Sequence, residues 1–198
     1  NKEQKFALDL LLDDAIQVVT LVGKAGTGKT ILALAAGLEK VLEGGGRYNR
    51  ILITRPIVPL GNDLGYLPGD KEDKIRPWMQ PIYDNLEYLC NEHIQPNGCI
   101  DYLIANGKIE LEALTYIRGR SIPKQFIICD ESQNLSPHVI KTILTRVGRG
   151  SKIIFTGDPE QIDHPYLDAS SNGLSYLVEK IKPEEIAGHI TLIKGERS

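Results

Sequence analysis

Eight consecutive residues, Gly23-Lys24-Ala25-Gly26-Thr27-Gly28-Lys29-Thr30, follow directly on the apolar run Val18 to Val22. A glycine, four residues and then Gly-Lys-Thr is the pattern of a loop that wraps a polyphosphate. Glycines let successive backbone N–H groups point inward, and a helix opening at Lys29 adds the positive end of its dipole to the same oxygens. In such a loop Lys29 reaches the β- and γ-phosphates of ATP, and the Thr30 hydroxyl coordinates Mg²⁺. A chance Gly-rich turn is the plain alternative, but it requires neither the strand before nor the helix after.

Phosphate binding does not separate hydrolysis from group transfer, so the next residues of interest are those that hold metal and water. Phe126-Ile127-Ile128-Cys129 is a buried-type strand that ends in the adjacent carboxylates Asp130 and Glu131. Asp130 at the strand tip is expected to hold Mg²⁺ opposite Thr30, and Glu131 to polarise the attacking water. An acid immediately after the metal carboxylate suits hydrolysis better than a kinase, which must exclude water. On the next strand, Lys152 to Thr156 leads into Gly157-Asp158-Pro159-Glu160-Gln161. Gly157 permits a tight turn at the carboxyl end, where open α/β sheets bind ligands, and Gln161 could sense the γ-phosphate. An exposed acidic turn and an ordinary Gly-Asp-Pro turn are the bland readings of these two segments.

These tips have to be positioned by alternating elements. The apolar runs Val18 to Val22, Ile51 to Thr54, Ile109 to Leu114, Gln125 to Cys129, Ile153 to Thr156 and Ile190 to Ile193 read as strands. Helices are expected from Lys29 to about Val41, around Trp78 to Glu92, and near Pro137 to Val147 and Gly173 to Ile181. Between the second and third strands an excursion rich in Pro and Gly occupies about 55–108. Such alternation implies an α/β domain with a mostly parallel sheet and helices on both faces. At 198 residues, 41% of them hydrophobic, the chain can bury a sizeable core without disulfides.

The net charge of −3 excludes a protein that is basic all over, so any nucleic-acid surface must be local. From Ala113 to Phe155 the chain carries Arg118, Arg120, Lys124, Lys141, Arg146, Arg149 and Lys152, while its acids are only Asp130 and Glu131. This is a candidate phosphate track for single-stranded RNA, sharpest at Arg118-Gly119-Arg120, with an ordinary solvated face as its alternative. Trp78 and Tyr83 lie on the excursion helix and either stack on bases or belong to the core. Three unpatterned cysteines, Cys90, Cys99 and Cys129, fit a reducing cytosol, and Cys90, His93 and Cys99 lack paired zinc-ligand spacing. No metal beyond Mg²⁺ is expected. No apolar segment approaches the ~20 residues of a membrane span, and a cytoplasmic location is the expectation.

The chain resembles the core of superfamily 1 helicases and, more closely, the PhoH family of ATPases, in the form fused to a PIN-type ribonuclease domain. The resemblance rests on Gly23 to Thr30, Arg55-Pro56, Leu67-Pro68-Gly69-Asp70, Pro77-Trp78-Met79-Gln80-Pro81, Arg118-Gly119-Arg120, Asp130 to Asn134, Gly157 to Gln161 and Gly195-Glu196-Arg197-Ser198. Ser132 stands where the family usually has alanine. The resemblance implies a single RecA-like P-loop NTPase domain over 1–198, with any PIN nuclease domain belonging to a longer parent. It also implies that Gln4 reads the adenine edge and that Arg197 approaches the γ-phosphate. From the residues alone, Gln4 is a polar residue on a short helix and Arg197 a solvated arginine. Two functions remain open: an ATPase coupled to RNA binding or unwinding, and a nucleotide switch that times assembly. A P-loop kinase is a third. A lone RecA-like lobe leaves the far side of ATP open, so a homo-oligomeric ring is expected, with Arg146 or Arg149 reaching a neighbour's nucleotide.

Overall fold

The computed structural model describes residues 1–58, 71–93, 98–117, 119 and 121–195. Within them the order is α1 (Lys2–Leu12), β1 (Val18–Gly23), α2 (Lys29–Leu42), β2 (Arg50–Arg55), α3 (Lys71–His93), α4 (Cys99–Ala105), β3 (Ile109–Ala113), α5 (Leu114–Ile117), β4 (Gln125–Cys129), α6 (Pro137–Leu144), β5 (Lys152–Gly157), α7 (Gly173–Ile181) and β6 (Ala187–Leu192). The six strands form one sheet in the order β3-β2-β4-β5-β1-β6, and every described pairing is parallel.

Strand periodicity explains why both faces are covered. Along β2, Ile51 and Ile53 enter one core and Leu52 the other; along β4, Phe126 and Ile128 part from Ile127 and Cys129 in the same way. The first core receives α1, α2, α3 and α4, through residues such as Leu11, Leu34, Met79, Ile82 and Leu103. Onto the second pack α5, α6 and α7, through Ile117, Ile140, Ile143, Leu174 and Leu177. With side chains alternating up and down, near-continuous apolar strands demand this two-sided cover.

Three details depart from the expectation. Helix α3 begins before Trp78 and contains both Pro77 and Pro81. A further helix, α4, ends the excursion, and its Cys99 is disulfide-bonded to Cys90 of α3. The reading of three reduced cysteines is therefore corrected for these two, while Cys129 is free and buried. Lys152, assigned to the basic track, is fully buried. Its ammonium donates to the carbonyls of Leu10 and Asp13, at 2.7 Å each, where α1 runs out of backbone partners. It is a structural group and not part of a surface track. Among the described residues no helix is long and apolar enough to cross a membrane.

Candidate nucleotide site

The loop between β1 and α2 is shaped by its glycines. Gly26 (φ 81°) and Gly28 (φ 90°) both sit in the left-handed region, which a side chain would strain. Gly28 is also the N-cap of α2 and offers no side-chain cap, so the first N–H groups of the helix keep their donors for an anion. Thr27 closes the turn by donating its hydroxyl to the Lys24 carbonyl at 2.8 Å. The ammonium of Lys29 lies across the loop, donating to the carbonyls of Gly23 (2.6 Å) and Lys24 (2.9 Å). Burial holds its pKa below the usual lysine range, against the attraction of Asp158, Glu131 and Asp130. Lys24 and Ala25 complete the loop, Lys24 in an exposed ion pair with Glu160 at 3.2 Å.

Sheet order brings the acids to this loop. Strand β5 separates β1 from β4, and all three tips open at the carboxyl edge. The buried Asp130 accepts at Oδ1 from the hydroxyls of Thr30 (2.9 Å) and Thr156 (2.5 Å). Thr30 and Asp130 thus offer a hydroxyl and a carboxylate side by side, the hard oxygen donors that Mg²⁺ takes in part while keeping waters and phosphate oxygens.

Glu131 follows in the left-handed conformation (φ 54°), one of two described non-glycine residues at positive φ. Strain of this kind costs about 1–2 kcal/mol. Its Oε2 accepts from Nε2 of Gln133 at 2.5 Å, and Oε1 lies 3.2 Å from Nη2 of Arg55.

Sequence reasoning missed two of these partners. Arg55 stood within a family motif without a role; its place beside the acids follows from β2 pairing with β4, where Thr54 opposes Cys129. Gln133 donates to the carbonyl of Gln161 (2.9 Å) and accepts from the N–H of Asp158 (3.2 Å), so its amide joins the acidic pair to the tip of β5. An added Cβ at Gly157 would meet Gln133 Oε1 and a methyl of Leu174, so a side chain there would displace the Gln133 amide. Gln161 is exposed beside this network and contributes its backbone carbonyl.

Gln4 reaches the loop from α1. Its Nε2 lies 3.4 Å from the Thr27 carbonyl, and its backbone N–H and side chain form a capping box with Asn1. Arg118, Arg120 and Arg197 lie outside the described residues, as do Leu67-Pro68-Gly69-Asp70 and the end of the Gly195 to Ser198 segment. Lys124 (φ 51°) precedes β4 at the amino edge of the sheet, and its N–H bonds the carbonyl of Arg149. Arg149 is exposed; Arg146 is half-buried, with its Nε enclosed. Trp78 and Tyr83 are both partly buried on α3.

The PhoH-like protein family matches residues 1–196. Protein PhoH2 of Bacillus subtilis (strain 168) is 61% identical over 199 residues, covering 100% of this chain and 44% of that protein. Protein PhoH2 of Mycolicibacterium smegmatis is 42% identical over 197 residues, covering 99% and 44%. The chain thus spans less than half the length of these relatives. Among solved structures, the Sulfolobus solfataricus SWI2/SNF2 ATPase core in complex with dsDNA aligns with 96% of this chain and 43% of that one. Its TM-score is 0.52 at 14% identity, a likeness of fold.

Proposed function

The chain belongs to the PhoH-like protein family and has a RecA-like α/β fold; from that premise we propose that it binds ATP with Mg²⁺, hydrolyses it, and couples hydrolysis to single-stranded RNA. The observation that carries the reading is the meeting of Thr30, Asp130 and Glu131 beside an uncapped glycine loop. Two of the three ammonium donors of Lys29 hold the carbonyls of Gly23 and Lys24, which leaves the third to face the β- and γ-phosphates. Thr30 and Asp130 are the residues that would hold Mg²⁺, which would supply neutralisation of phosphate charge. Glu131 orients water, Gln161 reports the γ-phosphate and Gln4 reads the adenine edge. Arg197 offsets charge in the transition state.

Arg118, Arg120 and Lys124 are assigned to RNA phosphates. In this reading the chain works in the cytoplasm as a homo-oligomeric ring, and a PIN-type nuclease domain accompanies it in a longer parent. The enclosed Nε of Arg146 favours the exposed Arg149 as the residue that reaches across a subunit boundary. The test is ATP turnover per subunit against protein concentration, with and without single-stranded RNA. Turnover that rises with concentration and with RNA is expected. A constant rate from a monomer would remove the ring, and a rate indifferent to RNA would leave a nucleotide switch.

A further inference from the structure

Arg55 closes β2 with a side chain that is 16% exposed, and its guanidinium touches three groups on two other segments. Nη2 is 3.2 Å from Oε1 of Glu131, Nε is 3.4 Å from Oδ2 of Asp130, and Nη1 donates to the carbonyl of Trp78 at 2.8 Å. Gln133 engages the other oxygen of Glu131. The direction of this carboxylate is therefore set by two donors, one on each oxygen; further lone pairs remain for a water, but turning the carboxylate toward a water off this direction requires a donor to let go. A planar guanidinium suits such a task, because it fixes several acceptors at once in a rigid fork.

The third contact leads away from the site. Trp78 lies on α3 between Pro77 and Pro81, neither of which has an N–H, so the helix loses ladder bonds in this turn. Arg55 donates to that interrupted turn and ties it to the acidic pair. A displacement of α3 would draw the Trp78 carbonyl and the guanidinium together and free Oε1 of Glu131.

The geometry points to Arg55 as a positioning residue that holds Glu131 in a resting orientation and releases it when α3 moves. This rests on the reading of Glu131 as the residue that polarises water. It adds a restraint, set by the excursion helix, on when hydrolysis occurs. In the RNA-coupled reading of the proposed function, RNA is the stimulus that would lift it.

Steady-state ATPase assays of the wild-type chain, Arg55→Ala and Arg55→Lys, each with and without single-stranded poly(U), test the restraint. Arg55→Ala should raise kcat without RNA by about fivefold or more at an unchanged KM, the size of a typical coupling between sites. Its ratio of rates with and without RNA should fall toward one, and Arg55→Lys should recover part of the wild-type ratio. Adding Glu131→Gln to Arg55→Ala should abolish the gain. A basal kcat that falls or stays unchanged in Arg55→Ala overturns the restraint. Should Arg55→Ala fail to fold by circular dichroism, Arg55→Gln keeps a donor for the Trp78 carbonyl, and the same rise is required of it. Wild-type turnover that ignores poly(U) would count against the RNA reading alone, and the basal kcat would still decide the role of Arg55.

Discussion

The Thr30 hydroxyl and the Asp130 carboxylate lie 100 positions apart in sequence and 2.9 Å apart in space. One opens α2 and the other closes β4, and the hydroxyl of Thr156 on the intervening β5 shares the same carboxylate oxygen. Three neighbouring segments of the carboxyl edge therefore converge on one acceptor, and the proposed function assigns the divalent cation to it.

Asp130→Asn should weaken binding of a fluorescent ATP analogue at least about tenfold when Mg²⁺ is present, and leave binding in EDTA nearly unchanged. The amide keeps an acceptor for Thr30 and Thr156 but loses the charge that attracts the metal. An equal loss in both conditions would make Asp130 a packing residue.

Lys29→Ala and Glu131→Gln should fail in different ways. Removing the loop ammonium should cost nucleotide affinity and turnover together, whereas Glu131→Gln should retain ATP and lose about 10²- to 10⁴-fold in kcat, the usual worth of a positioned base. Filter binding and phosphate release read the two quantities separately. Parental turnover in Glu131→Gln would sink the assignment.

Contiguous signals were readable because each is local: the loop from Gly23 to Thr30, the acids after Phe126 to Cys129, and the apolar alternation that divides Ile51 from Leu52 between two cores. Arg55 and Gln133 escaped because their roles depend on strand order. No local pattern places β2 beside β4, or β4 beside β5. Lys152 misled for a related reason. A lysine opening an apolar strand looks solvated until α1 is known to end over it and present the Leu10 and Asp13 carbonyls. The Cys90–Cys99 bond joins two helices on either side of residues that carry no pairing pattern.

Gln4 serves α1 as the third residue of a capping box and touches the phosphate loop at Thr27. Gln4→Ala should lower the preference for ATP over GTP and lower the melting temperature slightly, because the side-chain half of the capping box is lost while the Gln4 N–H still donates to Asn1 Oδ1. Competition binding and thermal melts separate the effects. A lower melting temperature with unchanged base preference would leave Gln4 as a cap alone.

The last prediction concerns pH. Burial pulls the pKa of Lys152 from 10.5 to about 8, against the favourable field of Asp14 and Asp13. With the folded value below the unfolded one, the unfolded chain binds more protons as pH rises beyond about 8, so this residue makes stability increase with pH. Cys129 acts in the opposite sense, because burial lifts its thiol from 9.0 to about 12 and stability is lost as the unfolded thiol ionises above pH 9. The window from about pH 8 to pH 9 therefore isolates the lysine from the thiol. Urea unfolding of the wild-type chain should gain up to about 1.4 kcal/mol per pH unit there from Lys152, relative to Lys152→Met. The methionine variant should be weaker throughout, because the Leu10 and Asp13 carbonyls lose their donor at a typical cost of about 1–3 kcal/mol. All other titrating groups are common to both proteins and cancel in the difference. Parallel stability curves for the two across this window would show that Lys152 keeps its proton and that the two carbonyls outweigh the cost of burial.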